Sequence, residues 1–493
     1  MTSSSPWLKS LNIAKKGLLC WSYTITMRGM ALGKRKRERQ ETLWIPTGQV
    51  AKPPSHPFYQ RLDAILMDHR FDNFVEKICA KFYAPRMGRP GLAPGLYFRL
   101  LLIGYFEGLD SERGIAWRTA DSLGLRDFLG LRLSDAPPDH STLSRTRRLI
   151  DVETHQEVLT WVLQRVAEAG LLKGKTIGID ATTLEANAAL RSIVRRDSGE
   201  DYQEFLTRLA KESGIATPTR EDLARLDRQR AKKGSNQDWT HPQDPDARIT
   251  KMKDGRTHLA HKAEQAVDLD TGVVIGVTVQ PADRGDTTTV IQTLEAAAEQ
   301  VEAVLPKGEG FQELVADKGY YSTERIVDLE QQDLRTYISE PRQRRRRWRG
   351  DQEARDAVYS NRRRIRGRRG KALLRRRGER LERPFAHLYE TGGMRRTHLR
   401  GRSNILKRVL IHVSALNLGF LMRAALGVGT PRSLQGRAWN SLSALIESFA
   451  GVLSTLPIAI AFPRLLFWLT FDFTHLADGP GIEDQKLTLT TGC

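Results

Sequence analysis

Cysteine is scarce in this 493-residue chain, which holds only Cys20, Cys79 and Cys493. Three thiols, odd in number and far apart, build no disulfide framework and no C-x-x-C zinc pair. Disulfide-stapled secreted scaffolds are thereby excluded, and a reducing cytoplasm fits. Long uninterrupted apolar runs are missing as well. The most apolar stretch, GVLSTLPIAIAFPRLLFWLTF, is broken by Pro457, Pro463 and Arg464, whereas a spanning helix needs about 20 largely unbroken apolar residues. The patch GLLCWSYTI lacks the small-residue cleavage site of a secretory signal. Folded material is expected from about Met30, with residues 1–29 as an extension, residues 426–493 as a tail and no membrane partner. Internal repeats are absent, which excludes solenoids and propellers. Acid is also in deficit: 58 Asp and Glu stand against 78 Lys and Arg, a formal net charge of +20.

That excess is concentrated. Between Arg342 and Arg377 lie 16 arginines and one lysine against three acids. A solvated loop would account for such a run. A phosphate-binding surface accounts for it better, since arginine pairs bidentately with phosphate and counterion release drives binding. Nucleic acid is the partner this charge favours.

Residues 30–165 read as an all-α, helix-turn-helix-like domain. GRPGLAPGLYFRLLLIGYFEGL has Pro/Gly punctuation and then helical apolar spacing. In APPDHSTLSRTRRLI a Pro-Pro turn leads to Asp139 or Ser141 as N-cap, and to Ser144, Arg145, Arg147 and Arg148 on an exposed helix face. Ordinary helical bundles produce the same pattern. The texture changes at KGKTIGIDATTLEAN, where Lys175–Ile179 reads as a strand ending on Asp180. A polar insertion follows over about 185–255. Then come a hairpin turning at DLDTG, an amphipathic helix from Asp286 or Thr287, a strand ending at Asp317 and a further helix. Residues 170–425 therefore form an α/β domain, a mixed sheet flanked by helices.

Asp180 and Asp317 each follow a short apolar run. If the two strands are neighbours, both carboxylates emerge at one sheet edge, where open α/β sheets place ligands. Adjacent carboxylates raise one another's pKa unless a cation neutralises them. Oxygen donors without a sulfur or histidine cluster suit a hard cation such as Mg²⁺ or Mn²⁺. An aspartate in such a place also serves as an ordinary turn former or helix cap, so the residues alone leave both readings open.

IDATTLEANAA, DKGYYS and LERPFAHLYETGGMRRTHLRGRSNILKR resemble the three catalytic blocks of bacterial insertion-sequence DDE transposases. GRPGLAPGLYFRLLLIGYFEG and DHSTLSRTRR resemble the N-terminal domain often attached to them. The resemblance runs from about residue 40 to about 425. It implies an RNase H-like catalytic core and a metal-dependent triad of Asp180, Asp317 and Glu382, holding two Mg²⁺ or Mn²⁺ ions. It also implies a DNA transposase that binds terminal inverted repeats, cleaves at the element ends and transfers 3′-OH ends to target DNA. Such an enzyme would act as a homodimer on double-stranded DNA, cytoplasmic and nucleoid-associated when bound. The Tyr-x2-Arg-x3-Glu-x6-Lys signature of many relatives fails around Glu382, whose flanking positions are Arg375, Gly378 and Tyr389. Glu379 stands as the alternative third acid, and a surface salt bridge would account for either glutamate.

Other residues carry less. Lys318, beside Asp317, is a candidate contact to the scissile phosphate. Arg395, Arg396, Arg400 and Arg402 flank a Gly-Gly bend and are candidate backbone contacts. Trp348 and Tyr359 interleave the arginines and offer stacking faces. Asp268 and Asp270 read as turn formers, Asp283 and Asp286 as caps, and His258 and His261 as strand residues without a metal. Two rival functions remain: an RNase H-like nuclease without strand transfer, and a non-catalytic or decayed DNA-binding protein.

Overall fold

The computed structural model describes residues 56–84, 91–230, 234–306, 310–342, 348 and 350–434. The expected extension 1–29 and the tail beyond residue 434 lie outside the described residues.

Seven helices come first: α1 (Pro57–Asp68), α2 (Phe71–Cys79), α3 (Pro94–Phe106), α4 (Glu112–Asp121), α5 (Leu123–Phe128), α6 (His140–Leu149) and α7 (Val152–Glu168). Their starts are written locally. Proline occupies the first turn of α1 and α3, where its missing N–H costs nothing. Ser111, Asp139 and Asp151 accept N–H bonds as caps of α4, α6 and α7. Nearly every residue of α3 is buried. It packs against α14 (Arg402–Leu426), which also packs on α7 and on the sheet strand Val274–Pro281. Helix α14 is apolar enough to cross a membrane by length and composition, and most of it is buried in the core of this chain. The apolar core runs without a break from these helices into the sheet.

The main sheet contains β1 (Thr176–Glu185), β4 (Arg248–Lys251), β5 (Thr257–Asp268), β6 (Val274–Pro281), β7 (Glu313–Ala316) and β8 (Arg335–Ile338). Its path is β4-β5-β1-β7-β8, with β6 on β5 beyond the end of β4. Strands β1, β5 and β6 are antiparallel, whereas β1, β7 and β8 are parallel. The sheet is therefore mixed.

Helix α10 (Asp286–Val304) covers one face. A Cβ on Gly276 would stand 2.8 Å from that of Ala297, so this glycine lets helix and strand approach closely. Helix α13 (Arg368–Ala386) covers the other face, with Leu381 over Gly178. Helices α11 (Thr323–Gln331) and α12 (Gln352–Arg366) flank the β8 edge.

The insertion between β1 and β4 folds around its own small core. It contains the ribbon β2 (Val194–Arg195) with β3 (Trp239–Thr240) and the helices α8 (Tyr202–Glu212) and α9 (Arg220–Gln229). Phe205, Leu206 and Trp239 fill its centre, and capping boxes start both helices.

One expectation needs correction. Strand β1 does not end at Asp180 but runs five residues further. The long strand β5 pairs with it as far as Glu185↔Ala260, so the Asp180 backbone is held in the ladder. The arginine-rich segment, for which a solvated loop was the alternative to a phosphate-binding surface, is helical from residue 352 on: residues 352–386 form α12 and α13, whose arginines reach acids of the sheet and its edges. Arg362 pairs with Glu340, Arg364 with Glu330, Arg369 with Glu313 and Arg376 with Asp270.

Candidate active site

The parallel register of β1 and β7 brings the two aspartates together. Thr176, Ile177 and Gly178 face Glu313, Leu314 and Val315. Two residues further along, where Asp317 directly follows the end of β7, the same register sets Asp180 beside Asp317. Alternation along β1 turns Asp180 to the same face as Gly178, the face covered by α13.

From that helix Arg377 reaches both acids, with Nη2 3.0 Å from Asp180 Oδ2 and 3.9 Å from Asp317 Oδ2. The guanidinium is mostly buried. Its Nε and Nη2 make no well-directed hydrogen bond among the described residues, so the contact with the two acids is chiefly charge on charge. Asp180 is pushed above the usual carboxylate range. Burial is the main cause, Arg377 opposes it, and the Asp317 charge adds to it. Such a pair holds negative charge that needs a positive partner, and Arg377 supplies it here. The donor chemistry fits a divalent cation at the same place, with Asp180 and Asp317 as oxygen ligands. Among the described residues no cluster of three or more His, Cys, Asp or Glu is assembled to hold a metal.

The loop after Asp317 is fixed from behind. Asp317 Oδ1 accepts the Gly319 N–H at 2.8 Å and caps a short 3₁₀ turn. Tyr320, fully buried, donates its hydroxyl to Glu264 at 2.8 Å. Glu264 is a buried acid on β5 that also accepts from Thr289 and Thr293 of α10. Lys262 lies 3.6 Å from Glu264 and 2.5 Å from Asp286. A Cβ on Gly319 would stand 2.6 Å from an Asp286 oxygen and 3.0 Å from an Asp317 oxygen, so only glycine leaves room for both carboxylates.

Arg377, Glu264 and Tyr320 escaped the sequence reading. An acid between Ala263 and Ala266 in the middle of β5 was the available signal for Glu264. Nothing distinguished Arg377 from the arginines around it.

The remaining candidates scatter. Glu382 is exposed on α13, one residue after the Leu381 that packs on Gly178, and no described contact joins it to either aspartate. Glu379 is also exposed and pairs with Arg383 at 2.8 Å. Lys318 is exposed at the start of the 3₁₀ turn.

On α6, Arg145 and Arg148 are exposed and Ser144 is half-buried. Arg147 is a correction: it is buried, bonds Glu112 at 2.7 Å and Ser144 at 3.1 Å, and does not lie on an exposed face. It ties α6 to α4, because its spacing places it on the packed side of the helix.

Arg395, Arg396 and Arg400 are exposed where residues 395–397 run beside the end of β1. Arg402 is half-buried at the start of α14 and lies 3.5 Å from Asp246. Asp286 is not the cap of α10. Gly285 precedes the helix, and the Asp286 carboxylate turns to Lys262. Asp268 does more than shape its turn, since its buried carboxylate accepts N–H bonds from Lys173, Gly174 and Asp270. His261 is buried against Asp244 at 3.1 Å.

Residues 49–149 match the family model described as a transposase domain (DUF772), and residues 224–418 match the one described as a transposase DDE domain. The second match includes Asp317, Glu379 and Glu382 and begins beyond Asp180, inside the insertion. A DDE domain implies an RNase H-like fold, and the mixed sheet flanked by helices is consistent with it. No curated protein and no solved structure matches the chain.

Proposed function

We propose that this chain, which belongs to the insertion-sequence DDE transposases, binds the terminal inverted repeats of its element, cleaves there and joins the freed 3′-OH ends to target DNA. The observation that carries this reading is the placement of Asp180 beside Asp317 on parallel neighbouring strands, bridged by a buried cation. With Glu382 as third donor the two aspartates would hold Mg²⁺ or Mn²⁺, which would activate a water and stabilise the departing 3′ oxygen.

The chain's own residues prepare that chemistry. Burial keeps Asp180 poorly solvated, which favours its pairing with a cation over a free charge. Tyr320 and Glu264 hold the Asp317 loop on β5, so that its carboxylate stays in register with Asp180. Arg395, Arg396 and Arg400 would take backbone phosphates beyond the end of β1, with Lys318 close to the scissile one. Arg145 and Arg148 of α6 would contact the repeat, and a homodimer would synapse two ends.

A supercoiled donor plasmid carrying the two element ends tests the reading. Mg²⁺-dependent end cleavage should appear with the native chain and vanish in Asp180→Ala and Asp317→Ala. Normal cutting by both variants refutes the site. Cleavage without joining of a pre-cut end supports a nuclease instead, and end binding without cleavage supports a non-catalytic protein.

A further inference from the structure

A cavity of about 430 Å³ opens between the C-terminal part of α13, the C-terminal part of α14 and the β5–β6 turn. Its volume lies within the range of small-ligand sites. Three guanidinium groups line it. Arg380 donates through Nη1 to the Thr271 carbonyl at 3.2 Å, and its Nε is buried with no hydrogen-bond partner among the described residues. Arg423 lies over the Phe420 ring at 5.5 Å and has no ion-pair partner among the described residues. Arg383 is shared with Glu379, an exposed acid outside the lining. Tyr105 contributes to the wall, with its hydroxyl buried behind it. His387 completes the polar set. Burial, Arg423 and Arg383 all lower its pKa, so it is a neutral hydrogen-bonding group near pH 7.

The walls thus offer surplus positive charge, and no carboxylate is among them. Arginines without a carboxylate beside them select an anion, and guanidinium selects phosphate by its fork geometry. Apart from Thr430 the rest of the lining is apolar or glycine and includes Leu416 and Phe420. Gly272 at the mouth has φ of +88°, and a Cβ there would stand 3.3 Å from Arg380 Nη1. This turn therefore leaves the arginine accessible as well as permitting the hairpin.

We infer that this cavity binds one nucleotide unit, with its phosphate on Arg380 and Arg423 and its sugar and base against the apolar wall. The site has room for a single nucleotide and none for a duplex. The nucleotide comes either from a frayed DNA strand or from solution. The inference does not depend on the carboxylate chemistry, since neither arginine belongs to the aspartate pair.

Calorimetry with dAMP and fluorescence anisotropy with a labelled single-stranded oligonucleotide, both on the full chain, test it. Arg380→Gln and Arg423→Gln should each weaken dAMP binding about tenfold, and Asp180→Asn should leave it unchanged. Arg423 lies at an exposed helix end, so its replacement preserves the fold and an unchanged melting temperature verifies this. A parallel tenfold loss for the oligonucleotide assigns the unit to a DNA strand, and a loss confined to dAMP assigns it to a free nucleotide. Wild-type affinity for both probes in both arginine variants overturns the inference, as does failure of the native chain to bind either probe.

Discussion

Replacing Arg377 by glutamine separates a cation that competes with metal from one that merely pads the site. Arg377 Nη2 sits 3.0 Å from Asp180 and 3.9 Å from Asp317, where a divalent ion would draw on the same oxygens. An ion pair of this kind falls between the exposed range of about 0.2–1 kcal/mol and the about 3–5 kcal/mol lost when a buried pair is broken. The Asp317 side chain is 43% exposed, which sets the pair at the lower end. A metal that must displace the guanidinium forfeits that amount. Removing it should therefore tighten metal binding by about 1.4 kcal/mol, or about tenfold. The assay is calorimetric titration of Mn²⁺ into the DNA-free full chain, comparing native protein, Arg377→Gln and Asp180→Asn. The aspartate variant should lose binding. Unchanged or weaker Mn²⁺ affinity in Arg377→Gln refutes the competition. Full Mn²⁺ affinity in Asp180→Asn is a different failure, because it places the metal elsewhere.

Four further outcomes follow from the same geometry. Asp180 has a folded pKa above its unfolded value, so the folded state holds the proton longer and stability falls as pH rises through that window. With EDTA present, Asp180→Asn should melt higher than the native chain at pH 8, and the gain should vanish toward pH 4. Tyr320→Phe leaves the buried Glu264 short of a donor. It should cost about 1–3 kcal/mol in urea unfolding and lower cleavage even where the variant is fully folded. Glu382→Gln should reduce plasmid cleavage about a hundredfold, as loss of a metal ligand does, and Glu379→Gln by no more than about threefold, as loss of a surface ion pair does; the reverse order makes Glu379 the third acid. Arg147→Gln should destabilise the fold by about 3 kcal/mol, as expected when one partner of a buried pair is removed, without changing the salt slope of DNA binding. Arg145→Gln should do the opposite, lowering that slope by about one.

What the chain spells out locally was readable, and what depends on packing was not. The turn DLDTG, the apolar run before Asp317 and the punctuation around α3 each announce themselves within a few residues. The pairing of Asp180 with Asp317 was legible only as a condition, since no local signal says which strands are neighbours. The end of β1 was misplaced because IGID followed by ATTLE changes from apolar to polar. Thr182 and Thr183 nonetheless stay in the ladder, where β5 pairs with them and Tyr389 hydrogen-bonds to the strand. Arg147 was read as exposed because one arginine in SRTRR looks like the next. Only the position of Glu112 across the α4–α6 contact distinguishes it.

The arginine-rich segment shows why charge counting overstates a nucleic-acid surface. Taken as a run, it promises a strip of free phosphate contacts. Within α12 and α13 several of its arginines are committed to acids: Arg362 to Glu340, Arg369 to Glu313, Arg376 to Asp270 and Arg377 to Asp180. An arginine already neutralised by a carboxylate gains little from a phosphate unless that carboxylate finds another cation. Salt dependence counts the phosphates newly neutralised, not the arginines present. The slope of binding against salt should therefore fall well below what the segment's composition suggests. It should depend more on exposed residues such as Arg145, Arg148 and Arg400 than on α13. The same commitment explains the carboxylates in so basic a chain. The arginines of α13 clamp the helix across the sheet, and one of them, Arg377, ends on the two acids whose charge calls for a divalent ion.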